Sequence, residues 1–199
     1  FPYTTLFRSS LVLLDVTTGE VLAMVNQPGY NPNNRLEINS QAARNRAVTD
    51  AYEPGSTIKV FSVAAALEAG HFRPDSVIDT GPGYMRVGSY TIRDTRPFGK
   101  IDIGTLIQKS SNIGAAKMAL ALPPEAIWTM YARLGFGRPA GTGFPGEAAG
   151  LMPARPPVRD AERAALAYGY GLSTTPLQLA SAYATIAADG VRRPVSFLA

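Results

Sequence analysis

The regular part of the chain opens with two short runs rich in aliphatic and β-branched residues, at positions 11–16 and 21–25. The residues between these runs, Thr17-Thr18-Gly19-Glu20, have a composition typical of a turn. Two β-rich runs joined by so short a turn predict an antiparallel hairpin. We expect this hairpin to lie at one end of a β-sheet.

Farther along the chain, apolar positions recur mostly at helical spacing. A Pro-Gly pair interrupts the chain, and a helix is predicted to begin near Ser56 and to include the apolar residues 60–68. Glycines divide segment 79–94 into two short runs that predict a small second hairpin. Segment 135–157, rich in Gly and Pro, predicts a long surface loop. Further helices are predicted over residues 103–108, 112–121, 124–134 and 176–188.

Composition narrows the class of protein. The 199 residues carry a net charge of +4 with scattered Arg residues, so no nucleic-acid footprint is visible. The 19 Gly and 16 Pro residues indicate many turns and a mixed α and β chain. Without Cys there is no disulfide or thiol chemistry, and His71 alone cannot build a multi-histidine metal site. No membrane-spanning run of about 18 apolar residues occurs, and no metal or organic cofactor is implied.

Ser56 and Lys59 stand three positions apart at the start of the predicted helix. Residues with this spacing share a helix face, so Ser56 Oγ and Lys59 Nζ can come within hydrogen-bond reach. A Ser hydroxyl becomes an effective nucleophile when a base takes its proton, and Lys can do so if burial lowers its pKa toward neutrality. By itself, the pair also fits a helix N-cap Ser followed by an exposed Lys.

Ser110 and Asn112 lie at the junction between two predicted helices. At such a junction both side chains can point into one cleft. There the Ser hydroxyl can relay protons, and the Asn amide can hold a substrate carbonyl and bind a catalytic Lys. Taken alone, Ser110-Ser111-Asn112 also fits capping of the second helix. The two motifs together are much more specific than either one.

Ser56-Thr57-Ile58-Lys59 and Ser110-Ser111-Asn112 resemble the first two of the three motifs of penicillin-recognising serine enzymes. This group includes penicillin-binding proteins and class A β-lactamases. With the segments that flank these motifs, the chain most resembles class B penicillin-binding proteins of the septal, FtsI type. These segments are residues 44–50, 53–56, 144–147 and 168–178. The resemblance extends from about residue 11 to the last residue.

The resemblance implies the α/β (α+β) fold of serine transpeptidases and β-lactamases, a central antiparallel sheet with helices on both faces. The third motif of the family, Lys-Thr-Gly or Lys-Ser-Gly on a sheet strand, does not occur at any Lys of this sequence. Residues 10–199 are therefore expected to be a partial transpeptidase domain, with the N-terminal hairpin and α lobe but without the C-terminal strands. Such a fragment is expected to be inactive and poorly stable alone. Residues 1–9 fit neither the family nor an obvious element and are predicted to be a non-native leader.

The resemblance also implies a reaction. Ser56 is the expected nucleophile, Lys59 its base, Ser110 a proton relay and Asn112 a substrate-binding residue. The enzyme would cross-link peptidoglycan stem peptides through a Ser acyl-enzyme, and β-lactam antibiotics would acylate Ser56. Further implied partners are membrane proteins of the division complex. The implied location is the bacterial inner membrane, with an upstream membrane anchor and the catalytic domain on the periplasmic side.

Three alternatives share parts of the pattern. An elongation-type transpeptidase tends to have Pro-Pro-Gly-Ser where this sequence has Glu53-Pro54-Gly55-Ser56. A class A β-lactamase usually has Asp at the place of Ser111 and needs a deacylating Glu, for which Glu147 and Glu162 are the nearest candidates. The missing third motif also leaves open a catalytically incomplete scaffold that only binds division partners.

Overall fold

The computed structural model of the chain describes residues 8–34 and 42–198. The chain divides into two compact units. Unit 1 consists of residues 1–52, 134–151 and 174–199, and unit 2 consists of residues 53–133 and 152–173. Most of the predicted leader, residues 1–7, lies outside the described residues.

The described residues form six strands and seven α-helices. The strands are β1 (Ser9–Leu14), β2 (Val21–Gln27), β3 (Val77–Asp79), β4 (Tyr84–Val87), β5 (Tyr90–Arg93) and β6 (Lys100–Asp102). The helices are α1 (Arg46–Thr49), α2 (Lys59–Glu68), α3 (Ile103–Lys109), α4 (Asn112–Ala121), α5 (Ala126–Leu134), α6 (Asp160–Ala167) and α7 (Pro176–Ala187). None of the described helices has both the length and the apolar character needed to cross a membrane.

The predicted N-terminal hairpin is confirmed in unit 1. β1 and β2 pair antiparallel, with Leu11 opposite Val25 and Leu13 opposite Ala23. Because strand side chains alternate between faces, these four residues share the outer face, where Leu11, Leu13 and Val25 are exposed. The inner face packs on a core cluster of unit 1 that contains Val48, Leu177 and Val195.

Helix α7 holds the long Gly- and Pro-rich segment of unit 1 in place. A capping box fixes the start of the helix, since Gln178 N donates to Thr175 Oγ1 and Thr175 N donates to Gln178 Oε1. Gln178 Nε2 then donates to the carbonyls of Arg138 (2.6 Å) and Ala149 (2.9 Å). The segment predicted as a loop, residues 135–157, contains no α-helix or strand among the described elements.

Unit 2 is built from helices and two small sheets. α4 packs against α6 and against the hairpin formed by β4 and β5. Their shared core contains Val87, Ile92, Ile113, Ala116 and Ala164. The predicted small hairpin is therefore confirmed, and the helix predicted over residues 112–121 has those bounds in α4.

The sequence pattern missed α1, α6 and the pair β3 and β6. β3 and β6 contain three residues each and place Val77 opposite Asp102, so their pairing depends on residues far apart in the chain. α6 starts after Arg159, whose side chain makes no capping hydrogen bond, so the sequence lacks a recognisable start signal there. α1 is a single turn of four residues.

Helix α2 is fastened within unit 2 by buried polar contacts. Ser62 Oγ donates to the carbonyl of Ala167 (2.8 Å) and is hydrogen-bonded to the hydroxyl of Tyr131 (2.7 Å). Burial raises the pKa of Tyr131, so its hydroxyl keeps its proton, and the hydroxyl oxygen also lies 3.1 Å from Leu166 O. Because each hydroxyl has one proton, the two protons are shared among these three contacts. These contacts hold α2 in a fixed position against the end of α6.

The turn after α6 approaches the residues just before α2. Gly55 N donates to Gly169 O (3.1 Å), and Gly171 N donates to Glu53 Oε1 (3.1 Å). Gly169 has φ +93°, and a Cβ at this position would overlap the backbone of Gly55. Gly169 of this aromatic and Gly-rich turn therefore has a packing role.

Gly169→Ala is expected to lower the free energy of unfolding by at least about 2 kcal/mol, because Ala disfavours a positive φ and its Cβ would displace Gly55. The measurement is urea denaturation. Gly70→Ala is the matched control, since Gly70 has φ +70° but open space where a Cβ would lie. Equal losses of stability in the two variants would contradict the importance of the close contact.

Candidate active site

Ser56 and Lys59 meet at the start of the helix that carries them. Ser56 lies in a 3₁₀ helix, Gly55–Ile58, and Lys59 is the first residue of α2, so the predicted helix begins as a tighter turn than expected. Lys59 Nζ lies 3.0 Å from Ser56 Oγ and donates to it. Ser56 is exposed, whereas Lys59 is only 2% exposed. An accessible hydroxyl is thus in contact with a buried amine.

The second motif surrounds the same amine. Lys59 Nζ also lies within hydrogen-bond distance of Ser110 O (2.5 Å), Ser110 Oγ (3.0 Å) and Asn112 Oδ1 (2.7 Å). An ammonium has three N–H groups, so Lys59 can donate to at most three of its four neighbouring oxygens at one time. The structure therefore brings all four predicted site residues together, although more than 50 positions separate Lys59 from Ser110. One nitrogen connects two hydroxyls, an amide and a carbonyl.

The backbone of Ser110 adopts an unusual conformation that makes this arrangement feasible. Ser110 is the C-cap of α3 and has φ 54° and ψ 44°, in the left-handed region. For a non-Gly residue this costs about 1–2 kcal/mol, so it persists only where surrounding contacts hold it. Here both the carbonyl and the hydroxyl of Ser110 reach Lys59 Nζ. We attribute the strained conformation to this double contact.

The amide of Asn112 is held at both ends. Its Nδ2 donates to the backbone carbonyl of Arg93 (3.1 Å), and its Oδ1 accepts from Lys59 (2.7 Å). Because an Asn amide has one donor end and one acceptor end, these two partners determine its orientation. The contact with Arg93 also joins strand β5 to the motif.

Burial controls the protonation of Lys59. Loss of solvent lowers the pKa of its amine from 10.5 to about 8, while the negative charge of Asp94 acts in the opposite direction and raises it. At pH 7 about one amine in ten is then neutral. A neutral amine can accept the proton of Ser56, which an ordinary surface Lys cannot do at this pH.

Asp94 is the residue of this site that the sequence analysis did not identify. Its carboxylate accepts hydrogen bonds from Ser111 Oγ (2.6 Å), Asn112 N (2.6 Å) and Ile113 N (3.1 Å). Ser111, which is fully buried, in turn accepts from Gly114 N (2.8 Å) and caps α4. Asp94 thus supplies the negative charge that the start of a helix favours.

A sequence signal for Asp94 exists but is weak. The first turn of α4 contains no acidic residue of its own, and an acidic residue follows the predicted hairpin strand 90–93. The two become linked only when the hairpin packs on α4. Sequence spacing alone therefore predicts Ser110 and Asn112 but not the residue that positions them.

The residues Arg44, Asn45 and Arg46 make structural contacts within unit 1. Arg44 Nε and Arg46 Nη1 pair with the carboxylate of Asp50 at 2.7 and 3.0 Å. Asn45 Oδ1 accepts from Asn26 Nδ2 (2.7 Å), which connects the segment to β2. These contacts brace the segment that carries α1.

Comparison with known proteins decides the family. Residues 9–199 match the family described as "Penicillin binding protein transpeptidase domain". The chain belongs to this family. The relation to FtsI-type transpeptidases is confirmed, because curated relatives with that name match 94% of the chain. The predicted fold class is confirmed by the family match and by the solved structures described below.

The transpeptidase domain described here is similar to several named proteins. It is 46% identical to "Peptidoglycan D,D-transpeptidase FtsI" of Escherichia coli, over 94% of this chain and 32% of that relative. It is 42% identical to "Probable peptidoglycan D,D-transpeptidase PenA" of Neisseria flavescens, over 94% of this chain and 46% of the relative. The chain therefore spans about a third to a half of the length of these relatives.

Solved structures agree with the sequence comparison. One is described as the "Apo structure of TP domain from Burkholderia pseudomallei penicillin-binding protein 3" and superposes with a TM-score of 0.85 at 41% identity. The alignment covers 96% of this chain and 53% of that one. A crystal structure of "a peptidoglycan glycosyltransferase from Burkholderia ambifaria" superposes equally well, with 42% identity over 96% of this chain and 56% of the other.

Proposed function

We propose that this chain is the part of a septal peptidoglycan D,D-transpeptidase that carries the acylation machinery. The observation that carries the proposal is the position of Lys59 Nζ, in contact with Ser56 Oγ, Ser110 Oγ and Asn112 Oδ1. The named relatives support the reaction class. Their longer chains agree with the expectation that residues 10–199 are a partial domain.

The first step is attack by Ser56. Neutral Lys59 accepts the hydroxyl proton across the 3.0 Å contact, and Ser56 Oγ forms a bond to the carbonyl carbon of the penultimate D-Ala of a stem peptide. The carbonyl oxygen becomes an oxyanion, which the backbone N–H of Ser56 would help to stabilise. The lowered pKa of Lys59 keeps part of the enzyme ready for this step at neutral pH.

The second step expels the terminal D-Ala. Lys59, now protonated, lies 3.0 Å from Ser110 Oγ, so a proton can pass through Ser110 to the departing amine nitrogen. The C–N bond breaks and an ester to Ser56 remains. Asn112 holds the peptide in register with its amide. An amine of a neighbouring stem then forms a bond to the ester carbonyl carbon, and the bond from this carbon to Ser56 Oγ breaks. The proton of the amine returns to Ser56 Oγ through the same groups, which leaves the cross-link and the free enzyme.

A β-lactam acylates Ser56 by the same first step, but the acyl-enzyme then does not react further. Its strained amide mimics D-Ala-D-Ala, and ring opening leaves the departing nitrogen tethered to the acyl group. The tethered group blocks the incoming amine, so Ser56 stays acylated. We therefore assign β-lactams as inhibitors that act on Ser56, and stem peptides as the substrates.

Location and partners belong to the same proposal. We propose that the whole protein acts at the bacterial inner membrane, with this domain on the periplasmic side and membrane proteins of the division complex as partners, as the resemblance to septal transpeptidases implies. Fluorescence microscopy of a tagged full-length protein tests this assignment. A septal band is expected, and a uniform side-wall signal would favour the elongation-type alternative.

The test of the activity uses the purified full-length protein with a fluorescent penicillin. We expect one adduct per chain, located by peptide mass spectrometry on the peptide that contains Ser56, and persisting for hours. Rapid turnover of nitrocefin instead would indicate a β-lactamase. Of the carboxylates considered for that reaction, Glu147 accepts hydrogen bonds from Gly141 and Thr142, and Glu162 pairs with Arg159 (3.2 Å).

Asp94→Asn is expected to slow acylation of Ser56 by about tenfold to a hundredfold. The new NH₂ group faces Ser111 Oγ in place of the oxygen that accepts the Ser111 proton, so the hydroxyl loses its acceptor and the cap must rearrange. Removal of the negative charge also lowers the pKa of Lys59 further, so the rise of the acylation rate with pH should move to lower pH.

The measurement for Asp94→Asn is the acylation rate by penicillin across a pH series, with Asp75→Asn as an exposed, charge-matched control. The control is expected to leave both the rate and the pH dependence unchanged. A variant that keeps the wild-type pH dependence would contradict the electrostatic link between Asp94 and Lys59. Loss of rate without that shift would indicate a purely structural role.

A further inference from the structure

The hairpin of β4 and β5 presents two chemically different faces. Directly opposed residues of an antiparallel pair share a face, and Met85 stands opposite Ile92 on the side that packs on the core of unit 2. Tyr84 stands opposite Arg93, and Arg86 opposite Thr91, on the other side. All four of these residues are exposed. The outer side is thus polar, basic and aromatic.

We call this outer side, together with the segment that follows β5, the arginine face. It is defined by Tyr84, Arg86, Arg93, Arg96 and Phe98. Within residues 84–100 the chain has four basic residues and one acidic residue, Asp94. The carboxylate of Asp94 is already engaged by three donors at the start of α4, so it does not neutralise the surface.

The arginines of this face are available for an external anion. In the part of the chain that the structure describes, the ion pairs of Arg residues involve other positions, and none includes Arg86, Arg93 or Arg96. Arg93 Cζ lies 5.7 Å from the centre of the Tyr84 ring, and Arg96 Cζ lies 5.6 Å from that of Phe98. An Arg held beside a ring by a cation–π contact of this length can still offer N–H groups to an anion, and it has less rotamer entropy to lose on binding.

The arginine face is continuous with the catalytic motif. The backbone carbonyl of Arg93 accepts from Asn112 Nδ2 (3.1 Å), and the next residue, Asp94, anchors the start of α4. A polymer whose peptide enters the site at Ser56 and Asn112 would therefore extend along or beside this strand. Arg86 and Arg93 are diagonal neighbours on the face, and such neighbours are separated by about 7–8 Å, with their Cβ atoms somewhat closer. This spacing suits two carboxylates on one chain.

We propose that the arginine face binds carboxylates of the peptidoglycan strand whose stem peptide reacts at Ser56. This inference rests on the proposed function, because it names where more distant parts of that same substrate lie. Peptidoglycan is an anionic glycopeptide whose stem peptides carry free carboxylates, and Arg binds carboxylates in a planar, two-pronged geometry. The charge of the face is complementary to that of this polymer.

The experiment measures two properties of the purified full-length protein, sedimentation with insoluble peptidoglycan and acylation by a small penicillin. The variant is Arg86→Gln/Arg96→Gln, which leaves the backbone contact of Arg93 with Asn112 in place. We expect binding to peptidoglycan to weaken about tenfold, while acylation of Ser56 stays within about twofold of the unaltered protein. Binding of the unaltered protein should also weaken between about 50 and about 300 mM salt.

The matched control is Arg73→Gln/Arg138→Gln, which removes the same charge from two exposed positions outside the face. If the control loses as much binding as the test variant, or if the test variant binds peptidoglycan as tightly as the unaltered protein, the proposal is refuted. The proposal would also be refuted if the unaltered protein bound a division partner through this face but did not sediment with peptidoglycan. Failure of the unaltered protein to be acylated would refute the proposed function instead, so the two failures are distinguishable.

Discussion

Replacement of Ser56 by Ala is expected to abolish covalent labelling by penicillin in the full-length protein. The reaction needs an accessible nucleophile next to a base, and Ser56 Oγ, exposed and 3.0 Å from Lys59 Nζ, is the atom that meets both conditions. The chain contains no Cys that could substitute for it. Because Ser56 is exposed, loss of its hydroxyl should change stability by less than about 0.5 kcal/mol.

Intact-protein mass spectrometry after incubation with penicillin is the measurement. Ser89→Ala, at an exposed position in the turn of the β4 and β5 hairpin, is the matched control and should label fully. Undiminished labelling of Ser56→Ala would refute the assignment of the nucleophile. Absence of labelling in both variants would point to loss of the folded state, which circular dichroism would reveal.

Replacement of Lys59 by Arg or Met is expected to slow acylation by about 10²–10⁴, the range that general-base catalysis contributes. Arg keeps its proton at any working pH, and Met cannot accept one, so neither variant can deprotonate Ser56. Both substitutions also disturb the three other acceptors around Nζ, Ser110 O, Ser110 Oγ and Asn112 Oδ1. Stopped-flow acylation kinetics measure the effect, with the exposed residue Lys100, changed to Met, as control.

The pH dependence of the acylation rate tests the role of Lys59 as base most directly. Because the pKa of Lys59 is lowered to about 8, the neutral form is the minority below this pH and the majority above it. The acylation rate of the unaltered enzyme should therefore rise toward a plateau as pH passes through about 8, and the residual rate of the variants should lack this rise. A rate independent of pH in the unaltered enzyme would contradict the role of Lys59 as base.

Much of the local structure could be predicted from the order of residues. The hairpin of β1 and β2 and the bounds of α4 follow from apolar runs and turn residues that are neighbours in the chain. The contact between Ser56 and Lys59 is of the same kind, since their spacing alone places them on one helix face. The elements that were missed, such as α6 and the pair of β3 and β6, lack such local signals.

Local signals also determined what kind of chemistry to expect. Two short motifs indicated the penicillin-recognising serine enzymes, and the flanking segments indicated class B penicillin-binding proteins among them. A helical turn brings residues three apart together whatever the rest of the chain does, so a reactive Ser and Lys pair can be recognised without a tertiary structure. The same holds for Ser110 and Asn112, which share one junction. Their residue types and spacing predicted the site and the contact of the Asn amide with a catalytic Lys, but not the contact of the Ser110 backbone carbonyl with the same amine.

Only the tertiary structure decided how the two motifs form one site. Lys59 reaches Ser110 and Asn112 because α2, α3 and α4 pack together, and this packing buries the amine and lowers its pKa. Asp94 reaches α4 only because a hairpin packs on that helix. Such contacts join residues tens of positions apart. The energy of each contact depends on how deeply it is buried and on where whole helices and strands lie. A pattern of neighbouring residues encodes neither the burial nor these positions.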